Sequence, residues 1–271
     1  MIKTFPYNAI NFSNDFNRNS NVFPAHLQRV RNIIAPVTGV LSFEYLPGIM
    51  PEAAPDAYVG VIRSDGVTVE TIYNSVIELT DRFIYLFAFS SLQMIAGACE
   101  FFFYVNGDSD VIYSEKCQCF NLADFPENNL VRVIAYNHDA LHGYISSTYP
   151  ACGFFKVSEL GRDVFGNDKI EYKRSYGRNK ILSSENYIKT TFTFLKLSMY
   201  QQNLLKWLCN CEAMSINGVT YNLIGEFSEE NKDNFYEVCD LKGTFVRVDG
   251  ELSTEAASTP PEDIEPVNIF M

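Results

Sequence analysis

The chain has 271 residues, 47 % hydrophobic and 14 % aromatic, with 33 acidic against 21 basic side chains and a formal net charge of -12. That length holds one large β domain or two ordinary ones, and the 22 Phe and 16 Tyr suit the pleated, half-buried surfaces of sheets. Binding DNA or RNA by neutralising phosphates calls for the opposite charge, so direct nucleic-acid binding is not expected.

The opening "MIKTFPYNAI" has one Lys and no apolar run of the kind a secretory leader carries. The seven cysteines (99, 117, 119, 152, 209, 211 and 239) are therefore expected as free thiols in a reducing cytoplasm. Residues 1–37 are rich in Asn, interleaved with Phe12, Phe16 and Phe23. Asn competes with the backbone for hydrogen bonds, so an irregular N-terminal arm is expected, laid on another surface or packed on its own domain.

Strand signals begin at "TGVLSFEYL", where Val40, Ser42 and Glu44 alternate with Leu41, Phe43 and Tyr45. After the Pro-rich "PGIMPEAAPDA", the stretch "YVGVIRSDGVTVETIY" reads as a hairpin about Asp65-Gly66. Residues 84–105 approach the length of a membrane span, but Ser90, Ser91, Gln93, Gly97 and Glu100 interrupt them. They read as two buried strands, "RFIYLFAFS" and "CEFFFYV", joined around "MIAGA", and no membrane span is expected. A turn at Asn106-Gly107-Asp108 leads to "VIYSEKCQCFN". Residues 38–122 then form one immunoglobulin-like β-sandwich, bounded by the polar "LADFPENN".

Residues 123–250 read as a second β-sandwich-like domain holding one short helix. "LVRVIAYN", "CGFFKVSEL", "KIEYKRSYGR" and "NYIKTTFTFLKL" are its first strand signals. The helix spans 199–212, with Ser198 as N-cap, Gln201 completing a capping box, and an apolar stripe of Met199, Leu204, Leu205, Leu208 and Cys211 or Glu212. It runs into a hairpin about Asn217-Gly218 and should lie across a sheet face or its open end. "EFSEENKDN" reads as a charged loop and "NFYEVCDLKGTFVRVDG" as one or two closing strands. Residues 251–271, acidic and Pro-rich, read as an extended tail ending in the apolar "VNIFM".

Chemical motifs are sparse. Both C-x-C pairs, Cys117/Cys119 and Cys209/Cys211, fit buried structural cysteines better than zinc spacing. His138 and His142 stand four apart beside Asp139, but the segment lies between strands and lacks the glutamate of H-E-x-x-H. Nucleophile-elbow, P-loop and dinucleotide fingerprints are absent from the sequence, and Glu229-Glu230 reads as a solvated acidic pair. No catalytic, cofactor or metal residues are assigned. Lys173, Arg174, Arg178 and Lys180 form the densest basic patch, either the wet face of a sheet or a contact for an acidic neighbour.

The order of "VIYSEKCQCFN", a linker, "IEYKRSYGRNKIL", "YQQNLLKWLCNCEAMSINGVTY" and a closing β segment resembles structural proteins of tailed bacteriophages of gut Bacteroidetes, the crAss-like group included. The likeness covers roughly residues 38–250 at the level of pattern. It implies an immunoglobulin-like domain followed by a β domain with a helix-to-hairpin block. It also implies a non-enzymatic virion role, in a ring of the tail, baseplate or head–tail connector. The partners would be other copies of the chain and neighbouring virion proteins. It supplies no catalytic residues, and the termini lie outside it. Two rivals stay open: a carbohydrate- or receptor-binding β module working through exposed Tyr, and a hydrolase using Asp139 with His142.

Overall fold

Residues 1–5, 7–13, 32–34, 40–88, 91–121, 130–137, 150–158, 162–172, 180–233 and 238–248 are described in a computed structural model. The boundary at 122–129, the three histidines, Asp139, the basic residues 173–178 and the acidic tail lie outside them.

The first unit holds strands Ile2–Thr4 (β1), Phe12–Ser13 (β2), Asn32–Ile34 (β3), Val40–Tyr45 (β4), Ala57–Ile62 (β5), Thr68–Ile72 (β6), Ser75–Glu78 (β7), Phe83–Ala88 (β8), Gly97–Val105 (β9), Val111–Ser114 (β10) and Cys117–Cys119 (β11). One sheet runs β1-β4-β8-β7. The other places β6 beside β5, β5 beside β9, β10 and β11 along the far edge of β9, and β2 and β3 outermost. In chain order this is the A-B-E-D and C′-C-F-G arrangement of an immunoglobulin sandwich. Antibody domains join strands B and F with a disulfide. Here Phe43 of β4 and Phe103 of β9 bridge the same two strands, stacked at 4.0 Å and 1°. Phe87 packs edge-on against both at 5.8 Å. Such ring pairs contribute roughly 0.5–1.5 kcal/mol beyond the area they bury.

Strands β4 and β8 are buried on both faces. Leu41, Phe43, Phe83, Tyr85 and Phe87 fill the sandwich core, while Val40, Ile84 and Leu86 join a second cluster shared with the rest of the chain. The alternation read in "TGVLSFEYL" is present, and both of its faces are covered. The sheet β1-β4-β8-β7 is thus a middle layer.

The second unit holds Leu130–Tyr136 (β12), Ala151–Lys156 (β13), Arg162–Tyr172 (β14), Lys180–Ser198 (β15), helix Met199–Cys209 (α1), Ala213–Ile216 (β16), Val219–Asp233 (β17) and Val238–Arg247 (β18). Its strands form one antiparallel sheet in the order β13-β12-β16-β17-β18-β15-β14. The sheet rolls until β13 meets β15: Val157 bridges Phe194, and the Ser158 N–H donates to the Thr193 carbonyl at 3.0 Å. Opposite walls of the roll then face each other across Val133, Phe155, Phe194, Leu241 and Phe245.

A rolled sheet leaves ends to be filled, and α1 supplies apolar side chains for that purpose. Its capping box forms as the sequence indicates, with the Ser198 side chain accepting from the Gln201 N–H and Gln201 reaching back to the Ser198 N–H. Gln201 is therefore buried, and Leu204, Leu205 and Leu208 enter the shared core. Met199, which spacing placed in the stripe, is 63 % exposed. The helix ends at Cys209, earlier than expected, because the Asn210 N–H closes on the Trp207 carbonyl at 3.1 Å and residue 213 already belongs to β16.

The N-terminal residues are not an arm over their first stretch. β1 pairs with β4, and Tyr7, Ala9, Ile10 and Phe12 are buried. Asn8 sits where strand pairing would continue: its amide donates to the Ser42 carbonyl at 2.9 Å and accepts the Ser42 N–H at 2.8 Å. The affinity of Asn for backbone groups is real, but it fastens the segment to its own fold.

Candidate functional site

Two places stand out among the described residues: the joint between the units and the outer face of the β6-β5-β9-β10 sheet. At the joint, the Tyr200 hydroxyl on α1 donates to the Ile10 carbonyl at 3.0 Å and meets the Asn8 carbonyl at 2.5 Å. Burial pushes its phenol pKa strongly upward, so Tyr200 stays a donor. Two turns further along, Trp207 packs against Tyr7 at 4.8 Å with its ring tilted by 36°, and Tyr7 stacks on Phe5 at 5.1 Å. The helix thus grips the residues that follow β1, and Val40, Ile84 and Leu86 close over the same cluster.

The outer face is ordered by strand register. Tyr58 of β5 lies opposite Tyr104 of β9, and Gly60 opposite Phe102. A side chain at Gly60 would overlap the Phe102 ring, since a Cβ there would fall 2.0 Å from its Cζ. The ring therefore lies across β5, taking space that any other residue would fill. Tyr104 is near-parallel to Phe102 (14°, 6.2 Å), and Tyr58 near-parallel to Tyr104 (18°, 5.3 Å). The Tyr104 hydroxyl donates to Glu70 at 3.0 Å, and desolvation together with that carboxylate pushes its pKa up. Tyr113 of β10, tilted 42° from Phe102 at 6.1 Å, makes a wall. Thr68, Phe102, Tyr104, Val111 and Tyr113 line a shallow cavity of about 310 Å³.

The chemically suggestive residues of the sequence fall elsewhere. Cys117 lies opposite Cys99 across β11 and β9, and burial raises the thiol pKa of both, Cys99 to about 12. Cys152, Cys209 and Cys211 are also pushed up to about 12 by burial. These thiols are neutral at physiological pH, whereas a nucleophile or metal ligand must be a thiolate. Among the described residues no group of three or more His, Cys, Asp or Glu is placed to hold a metal.

Glu229 and Glu230 lie in strand β17, not in a loop. They pair across the surface with Lys206 at 3.6 Å and Lys242 at 3.4 Å. The expected loop is the β17 limb of a long β17–β18 hairpin in which Phe227 packs on the core and the neighbouring residues are exposed or half-buried, so it lacks the apolar alternation that marks a strand. Asp240 went unnoticed for a related reason, its single charge lying inside an apolar run. It is 7 % exposed, accepts the Lys196 N–H at 2.7 Å and takes the Asn231 amide at 2.8 Å. Lys196 and Asn231 both have positive φ, 51° and 49°, beside register shifts of the ladders. One buried carboxylate thus pins two strained bulges.

The fold defines a mainly β protein in which an immunoglobulin-type sandwich and a rolled sheet share a core through one helix. Comparison of the chain with family models, curated proteins and solved structures finds no match in any of the three.

Proposed function

We propose that the chain is a non-enzymatic structural subunit of a tailed-phage virion, one that assembles with copies of itself into a ring in the tail, baseplate or head–tail connector. The observation that carries this reading lies on β14, at the end of the sheet order. There Val164 and Phe165 are 55 % and 76 % exposed. Successive strand residues point to opposite faces, so apolar groups are bare on both sides of an edge strand. Edges are normally charged, bulged or covered, and β14 has charges at both ends and a register shift at Ile170/Glu171, but these leave Val164 and Phe165 bare, and covering of that stretch by a neighbouring copy serves an oligomer. The shared core supports the same reading, because a subunit whose two units are locked together presents its contact faces at a fixed angle.

Sedimentation and electron micrographs of the purified chain test it. The expected result is a closed annulus that Phe165→Asp reduces to monomers without loss of β structure. A wild-type chain that stays monomeric at every concentration contradicts the proposal.

A further inference from the structure

We infer that the outer face of the β6-β5-β9-β10 sheet is a binding platform for a neutral carbohydrate chain, with Phe102 and Tyr104 as its floor and Tyr113 as its wall. This inference is independent of ring assembly.

The argument begins with flatness. Aromatic side chains on a sheet commonly stand away from it, but Gly60 leaves room for Phe102 to lie down across β5. Tyr104 lies near-parallel beside Phe102, and Tyr58 stacks on Tyr104 from β5 and holds its plane. An aromatic surface made of Phe102 and Tyr104 suits a ligand with flat apolar faces. The C–H faces of pyranose rings meet that description, and so do nucleobases.

Charge decides between them. Among the described residues no Lys or Arg lines the cavity, Glu70 stands at its edge, and the chain carries a net charge of -12. A phosphate backbone is repelled there, whereas a neutral sugar is not. The rim supplies what a sugar's edge needs. Thr68 lines the cavity, and the Glu70 carboxylate, which takes one hydroxyl hydrogen from Tyr104, keeps further lone pairs to offer. The cavity of about 310 Å³ lies at the small end of ligand sites, roughly 300–1,000 Å³, which fits a short stretch of a longer chain.

The test uses the full-length protein and a panel of neutral hexasaccharides of glucose, mannose, galactose and xylose in α and β linkage, with heparin hexasaccharide as the charged control. Calorimetry and saturation-transfer NMR read binding. At least one neutral member should bind, and the charged control should not. Phe102→Ala and Tyr104→Ala should each weaken binding tenfold or more. Gly60→Ala keeps every aromatic ring but displaces Phe102, and should weaken binding as well. Tyr58→Phe keeps the ring and should leave binding near wild type. Circular dichroism confirms that each variant is folded, and Tyr104→Ala serves alone if Phe102→Ala is not.

The proposal is overturned if no neutral member binds or if heparin binds best. Binding that survives both Phe102→Ala and Tyr104→Ala overturns it too. Loss of self-association in those variants, with no sugar bound by the wild type, would assign the face to a second copy of the chain instead.

Discussion

The two units solve the same burial problem differently. The first sets two sheets face to face, so alternate residues of each fill the space and rings such as Phe43 and Phe103 meet directly. The second has one sheet, rolled, and needs α1 to supply Leu204, Leu205 and Leu208. That helix is in turn held by Tyr7, Asn8 and Ile10 from the first unit's N-terminal segment. The sandwich is complete in itself on one face only, and its other face is part of the second unit's core. Burial that needs a borrowed element makes two units into one body, which a rigid assembly subunit requires.

The largest effect that can break this comparison is expected from Leu205→Ala. Leu205 is fully buried, and such truncations cost about 2–5 kcal/mol. Because its cluster includes Ile84 and Leu86, denaturant melts should show both units weakened, not the rolled sheet alone. Tyr200→Phe is smaller. It removes the one hydroxyl hydrogen offered to the Asn8 and Ile10 carbonyls, for about 1–3 kcal/mol. Protection of Tyr7–Phe12 amides against hydrogen exchange should fall most. Ser198→Ala removes the N-cap of α1 and should cost about 1 kcal/mol, measured by thermal melting.

The smallest effect is a response to acid, and it sharpens the contrast because it belongs to the sandwich's turns. Asp65 is held below the usual carboxylate range by the Val67 N–H and Arg63, Asp81 by Arg82, and Asp108 by the Asp110 N–H and Tyr45. Lowered carboxylate values mean stability present above the unfolded value, about 3.9, and lost as pH falls through the folded values. Below about pH 4 these three turns should loosen first, as followed by amide chemical shifts. All three carboxylates face solvent, so the transition should be shallow.

Much of the fold is legible in the sequence because the signals are local. Asn217-Gly218, with both φ values positive at 51° and 84°, and Asp65-Gly66, with φ 81° at Gly66, are the turns their dipeptides announce. The apolar run 84–105 divides into β8 and β9 as its small and polar interruptions indicate. The immunoglobulin arrangement follows from the spacing of short strands. What is not legible depends on distant partners. Nothing local in "MIKTFPYNAI" says that Asn8 will pair with Ser42 or that Tyr7 will meet Trp207. "GEFSEENKD" lacks apolar alternation because Phe227 alone of its residues packs on the core and the rest are exposed or half-buried polar groups and Gly225, so period-two reading has little to detect. The aromatic platform is half-visible. "FFFY" contains Phe102 and Tyr104 at period two, but their flat arrangement needs Gly60 from a strand some forty residues earlier.

The shared core is tested most directly by native-state hydrogen exchange across a denaturant series, comparing amides of Phe83–Ala88 in the middle layer with those of Val238–Arg247 in the rolled sheet. Both sets should open with one free energy and one denaturant dependence, and Leu205→Ala should lower both together. A middle layer that exchanges through its own separate opening while the rolled sheet stays closed would contradict the account.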